Sequence, residues 1–301
     1  MKPSGLHTQA FLKKRQLGSN DPKLHLAGFT NHRLIPWWIP HQLDLGILDA
    51  LERKYDIRIL YACESGSRGW GFASQDSDYD VRFIYVHRLS WYLQVRREAA
   101  SREDVIIQPV NGELDVNGWE LNKALSLFKG GNSTYVEWMD SPVCYRKDPA
   151  FTPRMKKLIK RLHQPRQAYY HYLRMAQKNF KVFAESSKPT AKEFLYALRP
   201  LLSVKWVELG LGSVPMRFEA ICEKIIESDT LQSSIDRLLA LKRQANEKDT
   251  GTPDPRLVAF VHKELERLKH GTIEDYQVPD FSPLDQLLFD MVTRFEADRN
   301  K

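Results

Sequence analysis

Strand-forming sequence is concentrated in one interval of this chain, residues 57–116, and beyond about residue 145 the pattern is helical throughout. Ile57–Cys63 (IRILYAC) is a nearly continuous apolar run with β-branched and aromatic members, the pattern of a central strand buried on both faces. Tyr79–Val86 (YDVRFIYV) predicts a second strand. Asp104–Val110 and Glu113–Val116 flank Asn111-Gly112, the commonest type I′ turn pair, and so predict a hairpin. Helical spacing precedes the strands, at Leu43, Ile47, Leu48 and Leu51, and predicts an amphipathic helix over 41–54. It resumes at Trp119, where Leu121, Leu125 and Phe128 share a face. Further helical patterns cover 153–184, 190–210, 215–227, 230–245, 254–269 and 282–298, punctuated by Pro165, Pro189, Pro215, Pro253 and Pro283. The expected class is α+β: a small mixed sheet with flanking helices over 37–145, then an all-helical domain over 146–301. Residues 1–36, with the basic cluster Lys13-Lys14-Arg15, read as an N-terminal extension.

Composition limits the functional classes. Apolar residues make up 42% and charged residues 28% of the 301, an ordinary soluble balance that excludes collagen-like and largely disordered chains. No stretch reaches the 18 uncharged apolar residues of a spanning helix, and the N-terminus (MKPSGLHTQAFLKKRQ) lacks the apolar core of a secretory signal. The expectation is a cytoplasmic protein without a membrane partner. A net charge of +7 hints at a polyanionic partner such as nucleic acid or nucleotide. Cys63, Cys144 and Cys222 have neither a disulfide framework nor a zinc spacing.

The chemistry concentrates in residues 64–82. Asp78 and Asp80 enter a strand two residues apart, so both carboxylates project to one side while Tyr79, Val81 and Phe83 project to the other. Carboxylates that close repel unless a cation lies between them. Mg²⁺ favours a few carboxylates plus phosphate oxygens. In the hairpin, Leu114 and Val116 should face the core, which turns Glu113, Asp115 and Asn117 the opposite way. If that strand lies beside the first, Asp115 completes a three-carboxylate cluster able to hold two ions. Asp78 and Asp80 would bridge both ions; Asp115 would serve the one that activates the incoming hydroxyl, and accept its proton. Gly66-Ser67, directly after the buried strand, offers backbone N–H groups and a hydroxyl to phosphate, and Arg68 adds a planar cation. An isolated Asp-x-Asp in a Ser- and Gly-rich stretch is usually a polar turn. Here the ordered set of buried strand, Gly-Ser, Asp-x-Asp and later Asp favours the metal reading.

That order resembles the polymerase-β-type nucleotidyltransferase superfamily. More narrowly, ESGSRGWGFASQDSDYDVRFIYV (64–86) is similar to the RNA-repair-pathway nucleotidyltransferase branch. Further matches are LDVNGWELNKALSLF (114–128), NSTYVEWMDSPVCY (132–145), YHYLRMAQKN (170–179) and KEFLYALRPLLSVKW (192–206). The resemblance spans roughly 40–230. It implies a minimal nucleotidyltransferase fold, two Mg²⁺ ions, a nucleoside triphosphate donor and pyrophosphate release. By the family pattern Gly66 and Ser67 contact the triphosphate while Asp78, Asp80 and Asp115 hold metal. One departure is Gly69, where the branch commonly has a small residue such as Ala.

Such a site needs more positive charge than Arg68 supplies. Lys178, Lys192 and Arg199 lie in helical segments that match the family and are the candidates for phosphate contact, against the plain alternative of solvated helix faces. Tyr169, Tyr170 and Tyr172 could stack a base, though aromatics at that spacing are more often core; Trp119, Trp138 and Trp206 are assigned to packing. Arg166-x4-His171 resembles a short motif of helical nucleases, in which His171 would be a general acid/base, but a packing role suits it better. The expected activity is Mg²⁺-dependent transfer of a nucleoside monophosphate to an acceptor hydroxyl. An RNA end comes first as acceptor, since the clusters at 13–15, 96–97, 156–157 and 160–161 could track a phosphate backbone, although each is also an ordinary solvated face. Transfer to a protein or small molecule, and a non-catalytic nucleotide- or RNA-binding module, remain open.

Overall fold

A computed structural model describes residues 46–95, 104–110, 114–244, 253–273 and 277–298. The predicted extension over 1–36, residues 41–45 of the first predicted helix, the clusters at 13–15 and 96–97, and Asn111-Gly112 with Glu113 lie outside them. Among the described residues no helix is long and apolar enough to cross a membrane.

Five strands form one mixed sheet: β1 (Ile57–Glu64), β2 (Tyr79–His87), β3 (Val105–Val110), β4 (Leu114–Glu120) and β5 (Cys144–Lys147), in the order β3-β4-β2-β1-β5. β1 is antiparallel to both β2 and β5, β3 is antiparallel to β4, and β2 and β4 run parallel. β1 is the expected central strand, buried along nearly its whole length. β5 extends strand content beyond the interval that the pattern marks. Its four residues, CYRK, are half-buried or exposed, too short and polar to give a run.

Each face of the sheet has its own cover. On one face, Ile57, Ile59, Ala62, Val81, Phe83, Tyr85, Ile106 and Val116 pack against Leu48 and Leu51 of α1 (Gly46–Tyr55). On the other, Leu60, Tyr61, Cys63, Ile84 and Val86 pack against α4 (Leu121–Lys129), α5 (Ser133–Met139) and α6 (Thr152–Leu162). Two short helices precede these, α2 (Gly66–Trp70) and α3 (Leu89–Tyr92). The sequence pattern does not announce α5, because six of its seven residues are buried and no polar face is left to set a period.

The predicted helix over 153–184 is two helices, α6 and α7 (Pro165–Glu185), with Pro165 opening the second. α7 packs along α8 (Ala191–Glu208), which starts in a reciprocal cap: Thr190 accepts from the Glu193 N–H and Glu193 from the Thr190 N–H. Pro200 inside α8 cannot donate to the Tyr196 carbonyl, and Asn179 of α7 donates to it instead at 2.7 Å. α9 (Phe218–Ile225), α10 (Asp229–Gln244) and α11 (Pro255–Leu268) complete this second core. The last helix, α12 (Ser282–Ala297), returns to the sheet: Leu284, Leu287, Met291, Val292 and Phe295 join the core beneath β1 and β2. Arg294 pairs with Asp148 there at 2.8 Å.

Candidate active site

The acidic site follows from strand alternation and register. The alternation that buries Val81 and Phe83 turns Asp80 and Arg82 to the opposite face of β2, the face of Ile84 and Val86. On parallel β4, Asp115 is directly opposite Asp80, while Val116 points into the core. The two carboxylates converge as the sequence pattern requires. A cation already joins them: Arg82 Nη2 donates to Asp80 Oδ1 and to Asp115 Oδ2, each at 2.7 Å. Arg82 Nη1 donates to the carbonyls of Val81 and Asp115, each at 3.1 Å. Burial raises the Asp80 carboxyl above its ordinary value; Arg82 opposes that shift, Asp115 and Asp78 add to it, and Lys192 opposes it again. Asp78 is exposed at the end of the loop that enters β2.

Among the described residues no three His, Cys, Asp or Glu side chains are drawn together around one cation position. The guanidinium of Arg82 takes up the space between two of them. The donor set nevertheless fits a hard divalent ion: it is all carboxylate oxygen, and Arg82 shows that a positive charge is accommodated there. The turn after β1 is shaped to this group. Gly66 has φ +55, and a Cβ built on it would meet Asp80 Oδ2 at 1.8 Å, so a side chain at 66 would be driven into the carboxylate.

Asp80 is held through its backbone. Its N–H donates to Glu64 Oε1 at 2.8 Å and its carbonyl accepts from Ser65 N–H at 2.8 Å. Glu64 also accepts from the Tyr145 hydroxyl, and burial pushes its carboxyl up to about 7 against these hydrogen bonds. The loop before Asp78 is clasped from two sides. Arg68 is buried, donates to the carbonyls of Ser77 and Asp78 at 2.6–3.2 Å, and stacks on Tyr79 at 3.8 Å. From α10, buried Lys242 donates to Ser74 Oγ at 2.6 Å and Arg243 reaches the Gly71 carbonyl at 3.3 Å. Gly69 fits tightly too: a Cβ there would lie 2.9 Å from the Glu64 carbonyl and 2.5 Å from the Met216 methyl, which explains glycine at this position.

The remaining candidates separate. Gly66 and Ser67 open α2 beside Asp80, with Ser67 buried. Lys192, near the start of α8, acts electrostatically on Asp80 and lies 5.9 Å from the Tyr196 ring. Lys178 is exposed on α7. Arg199 is inside the protein: it donates to Glu137 Oε1 at 3.0 Å and to the Met216 carbonyl at 3.2 Å, and stacks over Trp70 at 4.7 Å. Glu137 also accepts from Tyr172 at 2.8 Å and Trp70 at 3.2 Å. Tyr169 and Tyr172 are core residues, and Trp119 and Trp138 stack at 3.9 Å. The basic residues at 156–157 and 160–161 are exposed on α6. Sequence reasoning missed Arg82, Glu64, Lys242 and Glu137. Only Arg82 left a usable signal, since the period of two that pairs Asp78 with Asp80 extends to it.

The order of the mixed sheet and its flanking helices are those of a minimal nucleotidyltransferase domain. The chain belongs to the RNA repair pathway DNA polymerase beta family, which matches residues 41–290. It is 37% identical over 227 residues to the uncharacterized protein YcgL of Bacillus subtilis (strain 168), covering 75% of this chain and 86% of that protein. The crystal structure of a nucleotidyltransferase-like protein from Exiguobacterium sibiricum 255-15 aligns over 85% of this chain and 79% of its own, at 14% identity and a TM-score of 0.28.

Proposed function

We propose that this protein is a divalent-metal-dependent nucleotidyltransferase that moves a nucleoside monophosphate from a nucleoside triphosphate to an acceptor hydroxyl, the end of an RNA strand above all. The observation that carries the reading is the register of Asp80 with Asp115 across parallel strands, both within 2.7 Å of one cationic nitrogen. Asp78, Asp80 and Asp115 would hold two Mg²⁺ ions, which when bound neutralise charge on the attacking and leaving oxygens. The protein's own groups do the rest. The Gly66 backbone and Ser67 receive the triphosphate tail. Lys192, with Lys178 further along the helical layer, meets the charge that builds on pyrophosphate. Asp115, whose side chain is about half exposed, accepts the proton of the incoming hydroxyl. Arg68 and Arg199 are positioning residues in this scheme, one holding the loop of Asp78 and the other fixing α8. Alignment and charge neutralisation supply most of the rate in phosphoryl chemistry.

The test is incubation with α-labelled ATP, CTP, GTP or UTP, Mg²⁺, and a mixture of RNA and protein acceptors. Label should appear on RNA. Asp78→Asn and Asp80→Asn should each reduce transfer by roughly a thousandfold, several kcal/mol of lost stabilisation, with the fold intact by circular dichroism. Label on polypeptide would replace the acceptor. Full activity in either variant would refute the site, and no transfer to any acceptor would leave a binding module.

A further inference from the structure

Resting on that metal-dependent reading, we propose that Arg82 is a built-in counter-cation that competes with the divalent ion for Asp80 and Asp115, so that the nucleotide-free protein binds metal weakly. Two carboxylates facing each other across paired strands repel, and the sequence answers with an arginine two residues along the same face. A single nitrogen, Nη2, serves both carboxylates at 2.7 Å. It therefore occupies one oxygen of each, on the side where the two groups meet.

The other terminal nitrogen has a different task. Nη1 donates to the main-chain carbonyls of Val81 and Asp115, each at 3.1 Å. Those bonds do not depend on the carboxylates and keep the guanidinium tethered when Nη2 is released. The pair is also accessible enough to exchange. The Arg82 side chain is 16% exposed, that of Asp80 26% and that of Asp115 49%, so water and ions reach the bridge. Arg82 offsets part of the negative charge that Asp80 and Asp115 present to each other, which weakens their pull on a divalent ion until a triphosphate brings negative charge of its own. Arg82 thereby links metal loading to nucleotide arrival.

The measurement is binding of Mn²⁺ to the full-length, nucleotide-free protein, followed by electron paramagnetic resonance, for wild type, Arg82→Gln and Arg82→Lys. Arg82→Gln should bind Mn²⁺ at least about tenfold more tightly than wild type, because a unit positive charge a few ångströms from the ion is worth at least that much. Arg82→Lys keeps the charge without the fork and should fall between, which guards against a folding defect in the first variant. The added affinity should vanish in Arg82→Gln/Asp80→Asn. Unchanged or weaker binding in Arg82→Gln, with wild-type binding still dependent on Asp80, overturns the role of Arg82 alone. If neither protein binds Mn²⁺ with or without triphosphate, the metal-dependent reading falls and the proposal falls with it.

Discussion

Two arginine–carboxylate centres in this molecule use the same chemistry under opposite conditions. At the sheet, Arg82 meets Asp80 and Asp115 with side-chain exposures of 16%, 26% and 49%. At the junction of α2, α5, α7 and α8, Arg199 meets Glu137 at 2% and 8%. The first bridge sits in water's reach and its partners can be exchanged for another cation. The second is dry, and its acid also takes hydrogen bonds from Tyr172 and Trp70. A charge buried that deeply cannot leave its partner without a large desolvation cost. Burial, not residue type, separates an exchangeable bridge from a fixed rivet, and so a binding site from a joint.

Breaking each centre should show the difference directly. Glu137→Ala or Arg199→Met should cost about 3–5 kcal/mol in urea denaturation, since each leaves a buried charge without its counterpart. Arg82→Gln should cost less, about 1–2 kcal/mol by the same measurement, because its two carboxylates keep partial access to water when the guanidinium is removed. Glu137→Leu/Arg199→Met should recover much of the loss, because an apolar pair leaves no orphan charge. Equal costs at the two centres would erase the distinction.

A second comparison concerns how the helical layer serves the site. Lys242 reaches from α10 to Ser74, inside the loop that ends at Asp78, while Lys192 acts on Asp80 through space. Lys242→Met should destabilise the protein by about 1–3 kcal/mol, the range for a lost buried charged hydrogen bond, and should speed amide exchange across residues 72–78. Lys192→Ala should leave stability nearly unchanged. It should raise KM for the triphosphate roughly three- to tenfold in steady-state assays, at most about 1.4 kcal/mol of binding. Stability loss in the second variant with no change in KM would reverse the two assignments.

Much of this architecture was legible because it rests on periodicity. Ile57–Cys63, Tyr79–Val86 and the helices beyond 190 have clear apolar spacing, and their observed bounds lie close to the expected ones. The facing of Asp80 and Asp115 was legible for the same reason, since alternation fixes which way each side chain points once the strands are neighbours. What pattern could not supply was pairing across long sequence separations. Glu137 lies 62 residues before Arg199, and Ser74 lies 168 before Lys242. Read locally, Arg199 and Lys242 are two more basic residues on amphipathic helices, indistinguishable from the exposed Lys178. Burial depends on which helix arrives opposite, and that information is distributed over the whole chain.

The smallest expected effect separates a packing histidine from a chemical one. His171 lies on α7 with its ring against Tyr172 at 5.5 Å, and its Nε2 is enclosed without a hydrogen-bond partner. Burial lowers its pKa from the ordinary value; Glu137 opposes the shift and Arg174 adds to it. The sign follows from the proton count. Below about pH 6.5 the unfolded chain takes up this proton before the folded one does, so the folded state loses stability as pH falls through that window. His163, also depressed by burial, contributes in the same direction, which makes the wild-type slope a sum. His171→Phe should remove only its own share: the fall in stability between about pH 6.5 and 5 becomes shallower, while nucleotidyl transfer at neutral pH is unchanged. An unaltered slope would mean that the imidazole is solvated in the folded protein. That would return Arg166 and His171 to consideration as reactive groups.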